Sequence, residues 1–257
     1  MSSGDPHRFA GSEPVLLADA GNTALKLALV AGGRRWTSRV DNSELARLAD
    51  WRPPPEAPPP RRLVSASVRP SSDGALDALS RALGAVHEPV RREALGLAIR
   101  CRAPARVGID RLLAARALRD RAPVGWICVG CGTAITCDAV GADGAFEGGL
   151  IAPGAGSSAR ALARCTSLPE VALAERACAL GLDTEDALAG GIYWGFRGLV
   201  AELVRRLVRD VGGRREVAFT GGDGAVLVAA VPGAAYFPDL VLDGLASYAR
   251  AAHGVAP

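Results

Sequence analysis

The chain has 257 residues, of which 49% are hydrophobic and 22% charged, and a formal net charge of +3. That composition excludes a disordered chain, and the length suits one large domain or two ordinary ones with ample core. The slight basic excess, without a basic stripe interleaved with aromatics, argues against nucleic acid as a partner.

No apolar segment has the length of a membrane span, and residues 1–13 lack the apolar core of a signal peptide, so a loose tail on a cytoplasmic protein is expected. The six cysteines (101, 128, 131, 137, 165 and 178) have no secreted-scaffold spacing, so reduced thiols are expected. Cys128 and Cys131 form a CxxC, but no second pair follows and His7, His87 and His253 are distant, so no structural metal is expected.

Residues 15–30, VLLADAGNTALKLALV, are two apolar runs joined by a tight turn, the pattern of a hairpin. Asp19, Gly21, Asn22 and Thr23 supply an acid, a glycine, an amide and a hydroxyl within five residues. That set suits a hydrated cation and close approach of backbone N–H groups to phosphate oxygens, or simply the needs of turn geometry. Lys26, in the second run, is the only lysine. Residues 34–40 read as a third antiparallel strand, and residues 42–51 as a short helix capped by Asn42 or Ser43. The Pro-rich stretch 52–62 reads as a surface connection rather than a partner-binding polyproline segment. A buried strand over 62–68, an amphipathic helix over 72–83 and a turn at Pro104 follow. Residues 107–111, VGIDR, then open another helix.

Residues 125–140 return to strand character and echo the first hairpin: Gly21 aligns with Gly132, and Asn22-Thr23 with Thr133-Ala134. One recurrence after about 110 residues suggests two related halves rather than a solenoid, and two such turns across one cleft suit a nucleotide. In residues 146–156, Gly148-Gly149 and Pro153-Gly154 allow close backbone approach or a tight strand-to-helix corner. Helices are expected over 157–168 and over 184–210, the latter broken near Gly190-Gly191 and Gly198. Residues 216–220 form a strand running into Gly221-Gly222-Asp223-Gly224 and a helix-like stretch, a layout that offers helix N-terminal N–H groups to a nucleotide. A last helix over 237–252 can pack on either half.

Taken in order, these segments resemble the type III pantothenate kinases, which include the proteins named Bvg accessory factor and belong to the actin-like superfamily of acetate and sugar kinases. DAGNTALK (19–26) resembles the first phosphate motif, LVSASVRP (63–70) the strand that follows, and GIDR (108–111) the substrate and catalytic motif. GTAITCD (132–138) resembles the second phosphate motif, and EGGLIAPG (147–154), LDTEDALAGGIYWG (182–195), TGGD (220–223) and PDLVLDGLA (238–246) complete the series.

The resemblance implies an α/β fold of two actin-like (ribonuclease H-like) domains, with mixed sheets flanked by helices and a nucleotide cleft between them. The domains would be residues 14–115 and 116–257, after a tail over 1–13. It implies ATP-dependent phosphorylation of pantothenate to 4'-phosphopantothenate, the first step of coenzyme A synthesis, with Asp110 as general base. Gly108, Ile109, Asp110 and Arg111 would bind the substrate, with Arg111 orienting its carboxylate. Asp19, Ala20, Gly21, Asn22, Thr23, Ala24, Leu25 and Lys26 would bind ATP and its Mg2+, Asp19 holding the ion through water. Thr133 would add a hydroxyl on the phosphates. Thr184 would contact pantothenate across the interface of a homodimer built on the apolar helices between residues 157 and 208.

Two positions depart from the family. Gly130 stands where an Asp normally binds an activating monovalent cation, K+ or NH4+, and Cys101 stands where a Tyr lines the pantothenate pocket. These departures keep two alternatives in view. One is a regulatory or binding protein with poor turnover on the same scaffold; the other is a kinase of another small hydroxylated acid.

Overall fold

The structure, a computed structural model, describes residues 13–176 and 178–253. The expected tail lies outside these residues except for Glu13. Two compact units divide them: residues 13–97, 105–121 and 241–253 form the first, and residues 98–104 with 122–240 the second.

The first unit is built on β1 (Val15–Ala20), β2 (Ala24–Ala31), β3 (Arg34–Asp41), β4 (Arg62–Ser67) and β5 (Val86–Pro89), in the sheet order β3-β2-β1-β4-β5. The first three strands pair antiparallel, while β1-β4 and β4-β5 pair parallel. Val15, Leu16, Leu17 and Ala18 are all buried, as a strand covered on both faces requires. β3 alternates exposed and half-buried residues and carries Arg34, Arg35 and Arg39, which suits a sheet edge. Helix α1 (Asp73–Leu83) packs Leu76 and Leu79 into the cluster formed by Leu16, Leu25, Leu27 and Leu63. Residues 112–118 of α2 (Ile109–Arg121) are buried, and the helix contacts β4. The short helix expected over 42–51 is instead a 3-10 segment, Asn42–Asp50, with only Leu48 buried and no side-chain cap. Asn42 cannot cap it, because its amide is hydrogen bonded to the β1–β2 turn.

The second unit repeats the sheet. Its strands are β6 (Gly125–Cys131), β7 (Ala134–Val140), β8 (Phe146–Pro153), β9 (Arg215–Thr220) and β10 (Ala235–Tyr236), in the order β10-β9-β6-β7-β8. Here too the hairpin strands β6, β7 and β8 run antiparallel, and β6-β9 and β9-β10 run parallel. The core of this unit is Ile127, Val129, Cys131, Ile135 and Cys137 against Phe196, Val200 and Val204. Cys128 and Cys131, three apart on β6, point to opposite faces, so the CxxC cannot close on one ion. Helix α3 (Ala155–Cys165) follows β8 directly.

Helix α4 (Thr184–Val211) runs unbroken through Gly190, Gly191 and Gly198. Each interior glycine costs about 1 kcal/mol relative to alanine. The stripe of Tyr193, Phe196, Val200, Val204 and Leu207 is buried along one face, and each such side chain contributes about 1.5–3 kcal/mol. Packing wins. After β9 the helix-like stretch shrinks to one turn, α5 (Gly224–Leu227), and a 3-10 turn over Val228–Ala230.

Helix α6 (Leu240–His253) returns the chain to the first unit. A Cβ at Gly244 would collide with the carbonyl of Leu113, so α6 and α2 meet backbone to backbone. Arg116, 5% exposed, donates to Ser247 Oγ (2.8 Å) and to the Leu95 carbonyl (2.6 Å). Burial pulls its pKa below the usual arginine value, a cost these bonds offset. Asp243 accepts from Arg35 (2.7 Å) and Arg121 (2.8 Å), tying β3, α2 and α6 together. Gly244→Ala is therefore expected to destabilise the chain by about 1–3 kcal/mol through overpacking, read from the urea midpoint. An unchanged midpoint would contradict the close approach.

Candidate active site

In the first unit the residues singled out by sequence fall on two structural features. Asp19, half-buried near the end of β1, lies directly opposite Lys26 on β2, a cross-strand pair of opposite charges. Gly21, Asn22 and Thr23 form the turn, with Asn22 and Thr23 exposed, and Gly21 N–H donates to the Ala24 carbonyl (3.1 Å). Ala20, Ala24 and Leu25 are buried framework of the strands. The second feature is the start of α2. A Cβ on Gly108 would strike the Asp110 carboxylate, which folds back over the glycine, so the spacing Gly-x-Asp is a steric requirement of that placement. Asp110 stands in the first helical turn, where the helix dipole favours negative charge, and Arg111 beside it is also half-buried. Arg92 pins the approach by donating to the Val107 carbonyl (2.6 Å).

In the second unit two glycine-bearing stretches converge on the β6–β7 turn, Gly132-Thr133. Gly154 N–H donates to the Thr133 carbonyl (3.0 Å), Ser157 Oγ donates to the same oxygen (2.7 Å), and a Cβ on Gly154 would collide with the Gly132 carbonyl. From the other side, Gly221 (φ +88°) lies against the Cys131 carbonyl, which also accepts from Asp223 N–H (3.3 Å). The helical stretch expected after TGGD is short, one turn over Gly224–Leu227 and a 3-10 turn over Val228–Ala230, and the motif packs on β6. Burial pushes the Asp223 carboxyl up. Burial likewise pushes the Cys131 and Cys137 thiols up to about 12, with Asp223 adding to the first and Asp138 to the second.

The two turns correspond, but not in the register the sequence suggests. Gly132 N–H donates to the Ala134 carbonyl (3.1 Å) as Gly21 N–H does to Ala24, and each alanine opens the second strand. Thr23 therefore matches Thr133, and Asn22 is an extra residue. Thr184 is the exposed first residue of α4, next to Asp183, whose side chain caps the helix by accepting from Asp186 N–H (2.8 Å). Gly130 faces Thr136 across the hairpin, and a Cβ there would stand 2.6 Å from Thr136 Oγ1. Sequence reasoning missed Asn42 and Ser157 as turn supports. The only signal for them was their place just after the third strand of each hairpin set.

The repeated sheet, with three antiparallel strands extended by two parallel ones, defines a two-domain actin-like α/β fold. The type III pantothenate kinase family model matches residues 15–206, and the chain belongs to that family. A type III pantothenate kinase of Dehalococcoides mccartyi is 41% identical over 155 residues, which cover 58% of this chain and 59% of that protein. The chain thus spans less than two thirds of that relative's length. One from Hyphomonas neptunium is 32% identical over 248 residues, 90% of this chain and 96% of that protein. Among solved structures, a Baf family protein from Campylobacter jejuni shares the fold with a TM-score of 0.62 at 19% identity, covering 93% of this chain and 99% of that one.

Thiol reactivity gives a direct check on the second unit's core. At about pH 8 a thiol with a pKa near 12 is roughly one part in 10⁴ thiolate, so an alkylating reagent should spare Cys131 and Cys137 while labelling the exposed Cys165 and Cys178. Equal labelling of all four in the native protein would contradict this packing.

Proposed function

We propose that the chain transfers the γ-phosphoryl group of ATP to the primary hydroxyl of pantothenate. The observation that carries the reading is the start of α2, where Gly108 makes room for the Asp110 carboxylate at a half-buried helix terminus. Asp110 accepts the hydroxyl proton as the oxygen attacks the phosphorus; Arg111, a planar donor fork, orients the substrate carboxylate. The turn after β1 takes ATP phosphates on its N–H groups, with Lys26 and Asp19 alongside. Thr133 contributes its hydroxyl to the phosphates, and beyond its chain neighbours nothing lies within 4 Å of a Cβ at Gly132, which leaves room for a ligand there.

Asp19 fits a magnesium site, because a half-buried carboxylate at a strand end is a hard oxygen donor suited to a hydrated ion. Bound Mg2+ would neutralise phosphate charge; alignment and proton removal fall to the chain's own residues. The position of the family's monovalent-cation ligand fits such an ion poorly: Gly130 brings no carboxylate, and the neutral Thr136 hydroxyl occupies the space where a side chain would project. We take K+ or NH4+ to be dispensable here.

A homodimer, with Thr184 reaching pantothenate from the partner, is supported by large apolar side chains exposed in the second unit, among them Leu150, Ile151, Leu162 and Trp194. No helix among the described residues is long and apolar enough to cross a membrane. A second reading, a kinase of another small hydroxylated acid, is favoured by Cys101. Its sulfur lies 3.7 Å from a Cβ position on Gly148, and it is much smaller than the tyrosine normal to the family.

Asp110→Asn should lower phosphorylation of pantothenate by about 10²–10⁴-fold, with MgATP affinity within about twofold of wild type. The wild-type rate should change by less than about twofold when Na+ replaces K+ or NH4+, because no carboxylate stands at Gly130. Turnover unchanged in Asp110→Asn removes the assigned base, and a strict K+ requirement removes the inference about Gly130.

A further inference from the structure

Asn42 lies outside every motif recognised in the sequence, yet it holds the first turn by three hydrogen bonds. Its Nδ2 donates to the carbonyls of Asn22 (2.8 Å) and Gly21 (3.2 Å), and its own N–H donates to the carbonyl of Thr23 (3.3 Å). All three carbonyls of the turn are therefore held by one residue. The amide orientation is dictated by these neighbours, since a flipped side chain would set Oδ1 against two carbonyl oxygens. Oδ1 is buried without a hydrogen-bond partner, so the fold keeps an unsatisfied acceptor in order to keep this donor in place.

The second unit arrives at the same device. There the first residue past the third strand, Gly154, donates its N–H to the Thr133 carbonyl, and Ser157 Oγ adds a side-chain donor to that oxygen. Carbonyl oxygens repel phosphate and N–H groups attract it, so a turn whose carbonyls are tied back meets an anion with its donors.

We propose that Asn42 is a positioning residue for the nucleotide: it draws the carbonyls of Gly21, Asn22 and Thr23 away from the phosphates, so that the turn, whose Gly21 N–H is already given to the Ala24 carbonyl, does not meet them with carbonyl oxygens. This rests on the reading of that turn as a phosphate site. It extends that reading to a residue that touches neither substrate. In the second unit the backbone N–H of Gly154 shares the task, so Ser157 matters less than Asn42.

The test is calorimetric titration of the full chain with MgATP, together with steady-state kinetics, for wild type, Asn42→Ala, Asn42→Asp and Ser157→Ala. Asn42→Ala should raise both the Kd and the KM for MgATP about tenfold, a loss of about 1.4 kcal/mol, with the KM for pantothenate and the urea midpoint nearly unchanged. Asn42→Asp keeps the shape and the backbone bond to Thr23 but has no side-chain N–H to give, and should lose at least as much. Ser157→Ala should lose less than about threefold, because Gly154 still holds the Thr133 carbonyl. MgATP affinity within about twofold of wild type in either Asn42 variant overturns the proposal. So does a parallel rise of both KM values with a fallen midpoint, the mark of a merely structural residue. If wild type binds MgATP but phosphorylates no pantothenate, the substrate reading fails alone and the titrations still decide the role of Asn42. If wild type binds no MgATP, both fall.

Discussion

One backbone hydrogen bond recurs in both units, and the candidate chemistry depends on it. The first N–H past the third strand donates to the carbonyl of the threonine that precedes the second strand: Asn42 to Thr23, and Gly154 to Thr133. The bond closes the open end of the hairpin turn and sets the direction of its peptide groups. Without it, a three-residue or two-residue turn at the end of an apolar hairpin would be free to present carbonyls or N–H groups alike. With it, each turn is braced by the segment that leaves the sheet.

Sheet order explains why such a bond is available twice. In both units the first strand lies between its hairpin partner and a parallel strand, so the turn after it sits at the sheet's centre, and the chain leaving the third strand must pass close by. The glycines then follow from close approach. Gly154 and Gly221 lie where a Cβ would strike a backbone carbonyl of the β6–β7 hairpin, and Gly108 lies where one would strike the Asp110 carboxylate. These glycines are set by what must pass near them. Gly132 differs, since beyond its chain neighbours nothing lies near its Cβ position.

Much of this was legible from residue order. The hairpins at 15–31 and 125–140, the buried strand at 62–67 and the helix opening at Ile109 announce themselves by apolar runs ended by Gly, Asn or Pro. The repeat of a glycine turn also foretold two related sheets. What was illegible depended on partners distant in sequence. Asn42 looks like a helix cap because Asn at the head of a polar segment commonly is one; only the sheet reveals that its amide has carbonyls to serve twenty residues away. The glycines of α4 look like breaks until the buried stripe from Tyr193 to Leu207 is counted against them. The helix-like stretch after TGGD was legible too, although it is short: one turn over Gly224–Leu227 and a 3-10 turn over Val228–Ala230. The register of the two turns was off by one residue: the hydrogen bonds, not the letters, identify Asn22 as the insertion.

The most direct measurement is formation of 4'-phosphopantothenate by the purified full chain from ATP, Mg2+ and pantothenate, followed as labelled phosphate moving from the γ-position to the acid. The account predicts stoichiometric transfer to pantothenate, in sodium as in potassium buffer. ATP that binds but never yields the phosphorylated acid, in either salt, would contradict the central claim and leave the scaffold as a nucleotide-binding protein of another purpose.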